Sequence, residues 1–191
     1  MAQSASNLIL RMSKTRVNYW TEFAIDIPLG AVLIFLGLRR FNSQGGAALF
    51  TMMAGVLLFS FIEYFVHRWL FHGPESILTK GHCAHHQNPL GYDAVPFFLP
   101  AAVLLVFLGI FILLMPAKHA FLLAGVTAIG YVTYGLSHFA IHHVRFRRHF
   151  AVRWAGNHRI HHNHPETNFG VTTPLWDILL GTRYGSGKKR N

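Results

Sequence analysis

Between Val95 and Ser137 the chain carries one charged residue, Lys118, in a stretch dominated by Leu, Val, Ile, Phe and Ala. Crossing about 30 Å of hydrocarbon takes roughly 20 mostly apolar helical residues. The stretch therefore predicts two spans, Val95 to Pro116 and Ala120 to Ser137, joined by a short turn. Two further runs precede them. Gly45 to Val66 has one carboxylate, Glu63, near its end, and Trp20 to Leu38 opens on Glu22 and Asp26 and stops at Arg39-Arg40. With 52% hydrophobic and only 13% charged residues, the chain is too apolar for a disordered tail and unusual for a soluble domain. An all-α integral membrane protein of about four transmembrane helices is expected, with residues 1–191 forming a single membrane-embedded domain.

The charges set the expected sidedness. Seventeen Lys and Arg against seven Asp and Glu give a net +10. Fourteen of the basic residues, including Arg68, Lys80 and nine from Arg145 onward, fall on one side of the four spans, while Arg39, Arg40 and Lys118 fall on the other. Basic residues in short loops stay cytoplasmic, so both termini are expected in the cytoplasm. The same spread along membrane-flanking segments, without a nucleic-acid-binding motif, excludes nucleic acid as a partner. One cysteine, Cys83, excludes an intramolecular disulfide framework and reads as a small filler, and no secretory leader is recognisable. Lys188-Lys189-Arg190-Asn191 suits an endoplasmic reticulum retrieval signal or the basic tail of a bacterial inner-membrane protein equally well. Val171 to Gly181 mixes Leu175, Trp176, Ile178 and Leu179 with Pro174 and Asp177, as expected of a segment lying at the interface or of a core helix of the cytoplasmic part.

The fourteen histidines outnumber all the acidic residues, and they are grouped. The clusters are His67 with His72, His82 with His85 and His86, His138 with His142, and His158 with His161 and His162. Helical residues three and four apart share a face, so the last three clusters can each present imidazoles to one point. His67 and His72, five apart, would diverge by about 140° on an α-helix, so one of them is expected where the helix ends, before Gly73-Pro74. The clusters leave span two, precede span three, and leave and follow span four, so all should emerge on one face of the membrane. Ten imidazoles exceed the four ligands of one tetrahedral ion and suit two metals side by side. Neutral imidazole suits iron, zinc, copper or nickel, and the scarcity of carboxylates argues against magnesium or calcium.

His119, His149 and His164 lie outside the pattern and read as ordinary hydrogen-bonded or surface residues. His143 adjoins His142 but points about 100° away on a helix, which suits a supporting or structural role. Glu63, one turn before His67, is placed either to orient a ligand's second ring nitrogen or to make a structural hydrogen bond. A metal transporter, the reading from another class, would carry ionisable ligands along a path inside its spans. Here the last two spans are uncharged and the histidines gather at one end.

Over roughly Glu63 to Thr182 these motifs resemble the fatty acid hydroxylase and sterol desaturase superfamily of membrane-bound non-haem di-iron enzymes. Glu63 to His72, His82-Cys83-Ala84-His85-His86 and Tyr131 to His143 look like its successive boxes. His158-Arg159-Ile160-His161-His162, followed by Asn168 to Asp177, resembles the fatty acid 2-hydroxylase branch. The three residues between His138 and His142 point the same way, since related carotenoid hydroxylases usually have four, whereas Gly135 stands where that branch often has an acid. The resemblance implies two iron ions on the ten clustered histidines, O2 as co-substrate, and hydroxylation of a fatty acyl lipid at carbon 2. Zinc can displace iron in purified protein. The alternative within the superfamily is a sterol, carotenoid or alkane hydroxylase or desaturase. The sequence contains no haem-domain signature, cysteine set for an iron–sulfur cluster or dinucleotide fingerprint. A separate donor, a small b-type cytochrome or a ferredoxin with its reductase, is therefore expected to supply electrons on the cytoplasmic face.

Overall fold

In a computed structural model the described residues are 9, 11–92 and 94–185, and the regular elements among them are all helical. The basic run at 188–190 lies outside them. The helices are α1 (Arg16–Leu38), α2 (Gly45–Phe65), a π-helical turn (Val66–Phe71), α3 (Ile77–Gln87), α4 (Leu99–Leu114), α5 (Ala117–His143), α6 (His149–Asn163) and α7 (Leu175–Leu179).

Three stretches, Arg16–Leu38, Gly45–Phe71 and Ala117–His143, are long and apolar enough to cross a membrane. The fourth expected span is shorter. Its helix has 16 residues, about 24 Å at 1.5 Å per residue and so short of the hydrocarbon thickness. Val95 to Phe98 stay outside the helix, where the Asn18 side chain donates to the Val95 carbonyl at 2.8 Å and accepts from the Phe97 N–H at 2.9 Å. Conversely, α5 runs past Ser137 to His143, so His138, His142 and His143 share one helix with the apolar span.

The contacts divide the chain into two compact units. The first comprises Met1–Phe59 with Tyr92–Thr133. Within it α1 and α5 approach closely through small residues: a Cβ at Gly37 would stand 2.7 Å from the Leu122 backbone nitrogen, and one at Gly125 would stand 2.6 Å from that of Ile34. Close backbone approach supplies the dispersion contact that lipid-embedded helices depend on. Leu33, Leu104, Leu108, Ala120, Ala124 and Ala128 pack into one core, while Phe50, Leu113 and Leu114 are exposed, as a lipid-facing surface requires. Glu22 and Asp26 are buried on α1, and Glu22 accepts from the Tyr131 hydroxyl at 2.6 Å.

The second unit comprises Ser60–Gly91 with Tyr134–Asn191 and contains the ten clustered histidines. Ile141, Ala155 and Val171 form its core, and the Trp154 indole donates to the Val171 carbonyl at 2.9 Å. α7 has its polarity reversed: Asp177 is buried while Leu175, Ile178 and Leu179 are exposed. That is the pattern of an element whose outer face meets apolar surroundings.

Candidate metal centre

The ten histidines divide into two groups of five. His67, His72, His82, His86 and His161 form one, and His85, His138, His142, His158 and His162 the other; in each, the possible ligand atoms lie within 4.8 Å of one another. Helix periodicity explains the division. Residues four apart stay together (His82 with His86, His138 with His142, His158 with His162), while the intervening His85 and His161 turn to the opposite group. The three-residue clusters therefore serve two points each rather than one.

His67 and His72 join one group because the helix widens before it ends. Val66–Phe71 is π-helical, and the His72 N–H bonds the His67 carbonyl five residues back at 3.2 Å. The wider turn offsets the divergence that five residues would give in an α-helix. His72 itself stands just past the helical end, and the next residue must be small, since a Cβ at Gly73 would lie 1.9 Å from the Trp69 carbonyl oxygen.

Backbone carbonyls orient two of the rings. His67 Nδ1 lies 2.5 Å from the Phe169 oxygen and His161 Nδ1 lies 2.7 Å from that of Thr167. A proton on Nδ1 in each leaves Nε2 with an outward lone pair. Those Nε2 atoms meet their neighbours: His67 to His82, His82 to His72 and His72 to His161 are each 3.0 Å, and His82 to His86 is 3.1 Å. Such separations suit nitrogens held about 2.0–2.1 Å from a shared ion. In the second group His138 Nε2, His142 Nε2 and His158 Nδ1 are buried without a hydrogen-bond partner. Each would cost about 1–3 kcal/mol if left so, and a cation is the partner that imidazole lone pairs accept. The residues therefore fit two metal ions.

Burial also keeps the imidazoles uncharged. It lowers His72 to about 4, with help from the neighbouring His86. It lowers His85 to about 2 and His161 and His162 to about 3, again reinforced by surrounding histidines. His82 and His158 are pushed down further by the same causes. Neutral rings carry the lone pairs that metal binding requires.

Two carboxylates brace the loop behind the first group. Glu63 Oε1 accepts from the N–H groups of Val171 at 2.6 Å and Thr172 at 2.9 Å, and Oε2 accepts from the Thr172 hydroxyl. Asp177 accepts from the N–H groups of Phe169 and Gly170, both at 2.8 Å, and from the Thr182 hydroxyl at 2.7 Å. Glu63 thus reaches His67 of the first group through the loop that carries the Phe169 carbonyl. The sequence reading missed Asp177, although an acid amid Leu175, Trp176, Ile178 and Leu179 was the available signal.

His143 has both ring nitrogens at carbonyl oxygens, Nδ1 at Phe139 (2.9 Å) and Nε2 at Leu90 (3.2 Å), and its ring stacks on Phe139. It belongs to neither group. His119 pairs with the Thr51 hydroxyl at 2.8 Å, His149 is exposed, His164 stacks on Tyr184, and Cys83 is exposed.

A family model described as fatty acid hydroxylase matches residues 52–182. A dihydroceramide fatty acyl 2-hydroxylase of Arabidopsis thaliana is 32% identical over 187 residues, covering 90% of this chain and 76% of its own. A fatty acid 2-hydroxylase of Macaca fascicularis is 29% identical, covering 93% of this chain and 55% of its own. A solved structure of full-length Scs7p, with only its hydroxylase domain visible, matches with a TM-score of 0.79 at 28% identity, over 93% of this chain and 70% of that one. The chain spans about half the length of several curated relatives it matches.

Proposed function

Because the chain belongs to the fatty acid hydroxylase family, we propose that it is a membrane-bound di-iron oxygenase that hydroxylates a fatty acyl chain at carbon 2. The observation that carries this reading is the convergence of ten histidines into two adjoining groups of five. Curated relatives named as 2-hydroxylases support the position on the chain.

In this reading His67, His72, His82, His86 and His161 hold one iron ion and His85, His138, His142, His158 and His162 the other. When bound, the pair supplies O2 activation: with two electrons and two protons, one oxygen atom enters the C–H bond and the other leaves as water. The protein's own work is positional. The carbonyls of Phe169 and Thr167 hold His67 and His161 with Nε2 forward, Glu63 and Asp177 hold the loop behind them, and burial keeps the rings neutral and water away from the reacting carbon. The substrate's own membrane is the solvent for its acyl tail. The single domain acts from the endoplasmic reticulum or a bacterial inner membrane with histidines and both termini facing the cytoplasm, where a separate donor delivers electrons.

The test is mass spectrometry of hydrolysed lipids from cells expressing the chain, compared with a vector control and with His82→Ala. A 2-hydroxy acid present only with the intact chain is the expected result; equal amounts in all three samples would refute the reading. Hydroxylated sterol, carotenoid or alkane in its place would establish the alternative.

A further inference from the structure

Asn168 stands between the two residues whose carbonyls aim rings of the first histidine group. The Thr167 oxygen faces His161 Nδ1 at 2.7 Å, and the Phe169 oxygen faces His67 Nδ1 at 2.5 Å. Asn168 itself is 3% exposed and lies in the left-handed region at φ 54°. Glycine enters that region most readily, and asparagine is among the few other residues that visit it. Glycine would therefore serve the backbone, and the asparagine side chain needs an explanation of its own.

That side chain is engaged at both ends. Its Nδ2 donates to the Asn157 carbonyl at 3.1 Å, and its Oδ1 accepts from the Tyr184 N–H at 2.8 Å. Asn157 lies one turn before His161 on α6, so the amide ties the loop to the same helix whose histidine the loop orients. The main chain is held at the same point. A trans peptide carries its C=O and N–H on opposite edges of one plane. The Asn168 N–H donates to the Thr182 carbonyl at 3.0 Å, which fixes the plane whose other edge is the Thr167 oxygen at His161. The Phe169–Gly170 plane is held in the same way, by the Gly170 N–H on Asp177 at 2.8 Å. The dihedral angles of Asn168 set how the first of these planes is turned relative to the loop that follows. Glu63 and Asp177 brace only that following part, through Phe169, Gly170, Val171 and Thr172.

We propose that Asn168 is a positioning residue for the first metal position. Its left-handed backbone and its amide together hold the Thr167 and Phe169 carbonyls where His161 and His67 meet them, and so set how tightly that group holds its ion. His161 and His67 both belong to the first group, so the effect is selective for one of the two positions. The inference rests on the paired-metal part of the hydroxylase reading above and goes beyond it by naming the residue that tunes one position alone.

The test titrates zinc into the chelator-treated full chain in detergent, against a competing chelator. Asn168→Asp keeps the size of the side chain but sets a carboxylate oxygen against the Asn157 carbonyl. It should weaken one of the two zinc ions roughly 10–100-fold and leave the other unchanged. The weakened ion should be the one that His82→Ala removes and His138→Ala keeps. Asn168→Gly keeps the left-handed backbone and its N–H but lacks the amide; it should weaken the same ion by less than Asn168→Asp, and it carries the test by itself where Asn168→Asp does not fold. Wild-type affinity for both ions in Asn168→Gly, an equal loss from both, or a loss confined to the ion that His82→Ala keeps overturns the inference. Zinc binding is read without turnover, which separates the two readings. A selective loss in a chain that makes no hydroxylated lipid removes only the hydroxylase, whereas hydroxylated lipid from a chain whose Asn168 variants bind both ions as wild type does removes only the role of Asn168.

Discussion

His67 Nδ1 lies 2.5 Å from the carbonyl oxygen of Phe169, a residue 102 positions along the chain. A single main-chain oxygen can set a ring only if the loop carrying it is itself fixed, and here Glu63 and Asp177 fix it from either side through Val171, Thr172, Phe169 and Gly170. Both side chains are buried and accept several hydrogen bonds each, every one worth about 0.5–1.5 kcal/mol.

Glu63→Ala should therefore lower the metal content of the first group and the melting temperature together, with roughly a 10–100-fold loss of metal affinity. Glu63→Gln, which keeps an acceptor oxygen for the Val171 and Thr172 N–H groups, should lose less. Elemental analysis of purified protein measures the first effect and a thermal melt the second. Wild-type metal content in Glu63→Ala would show that the loop holds its shape without the carboxylate.

The division into two groups makes a stoichiometric prediction. About two metal ions per chain are expected, falling to about one in either His82→Ala or His138→Ala, whose residues lie in different groups. Activity should vanish in both and in His161→Ala. His149→Ala removes an exposed ring and should change neither metal nor activity, while His119→Ala should lose only about 1 kcal/mol of stability with its Thr51 bond. One ion or none in folded wild-type protein would contradict the paired arrangement.

Acid should destabilise the metal-free protein. His72, at about 4, and His161 and His162, at about 3, sit below the ordinary histidine value of 6.5 because they are buried among other imidazoles. Between those values and 6.5 the unfolded chain binds more protons than the folded one, so the stabilisation is complete above about 6.5 and is lost progressively as pH falls toward the folded values. Bound metal opposes the loss until protons displace it. Thermal melts of chelator-treated protein from pH 7.5 to 4.5 should show a falling midpoint; a flat profile would contradict the burial of these rings.

What was legible in the sequence follows from which forces act locally. Three long apolar runs and four histidine clusters rest on composition and helical spacing, and both appear in the structure. The shortening of the Val95–Pro116 run has a local cause in Pro96 and Pro100, the latter in the first turn of the helix, and a distant companion in Asn18, 77 positions away, which holds the Val95 carbonyl and which no local pattern reveals. The pairing of His67 with His72 depends on a π-helical turn, which an α-helical projection cannot represent. The division of His82, His85 and His86 between two groups was latent in the spacing, because residues four apart share a face more closely than residues three apart when two targets compete. Asp177 was visible only as an acid in the wrong company, and its partners are the Phe169 and Gly170 N–H groups of the loop before α7 and the Thr182 hydroxyl after it.

The electron supply gives the last prediction. Each hydroxylation consumes two electrons, and the histidine groups have no redox partner of their own among the described residues. Arg145, Arg147, Arg148 and Arg153 are exposed immediately before and along α6, the helix that carries His158, His161 and His162. A positive surface on the element that holds both groups favours an acidic carrier, and attraction between exposed charges weakens once salt screens them beyond about 8–10 Å. Turnover reconstituted with a reductase and a small b-type cytochrome or ferredoxin should therefore fall as ionic strength rises. Replacing Arg147 and Arg148 together by Gln should raise the apparent KM for the carrier several-fold and leave its saturated rate and the metal content unchanged. Sustained hydroxylation driven by NAD(P)H and the chain alone would refute a separate donor; salt-independent turnover with the carrier would place its docking surface elsewhere.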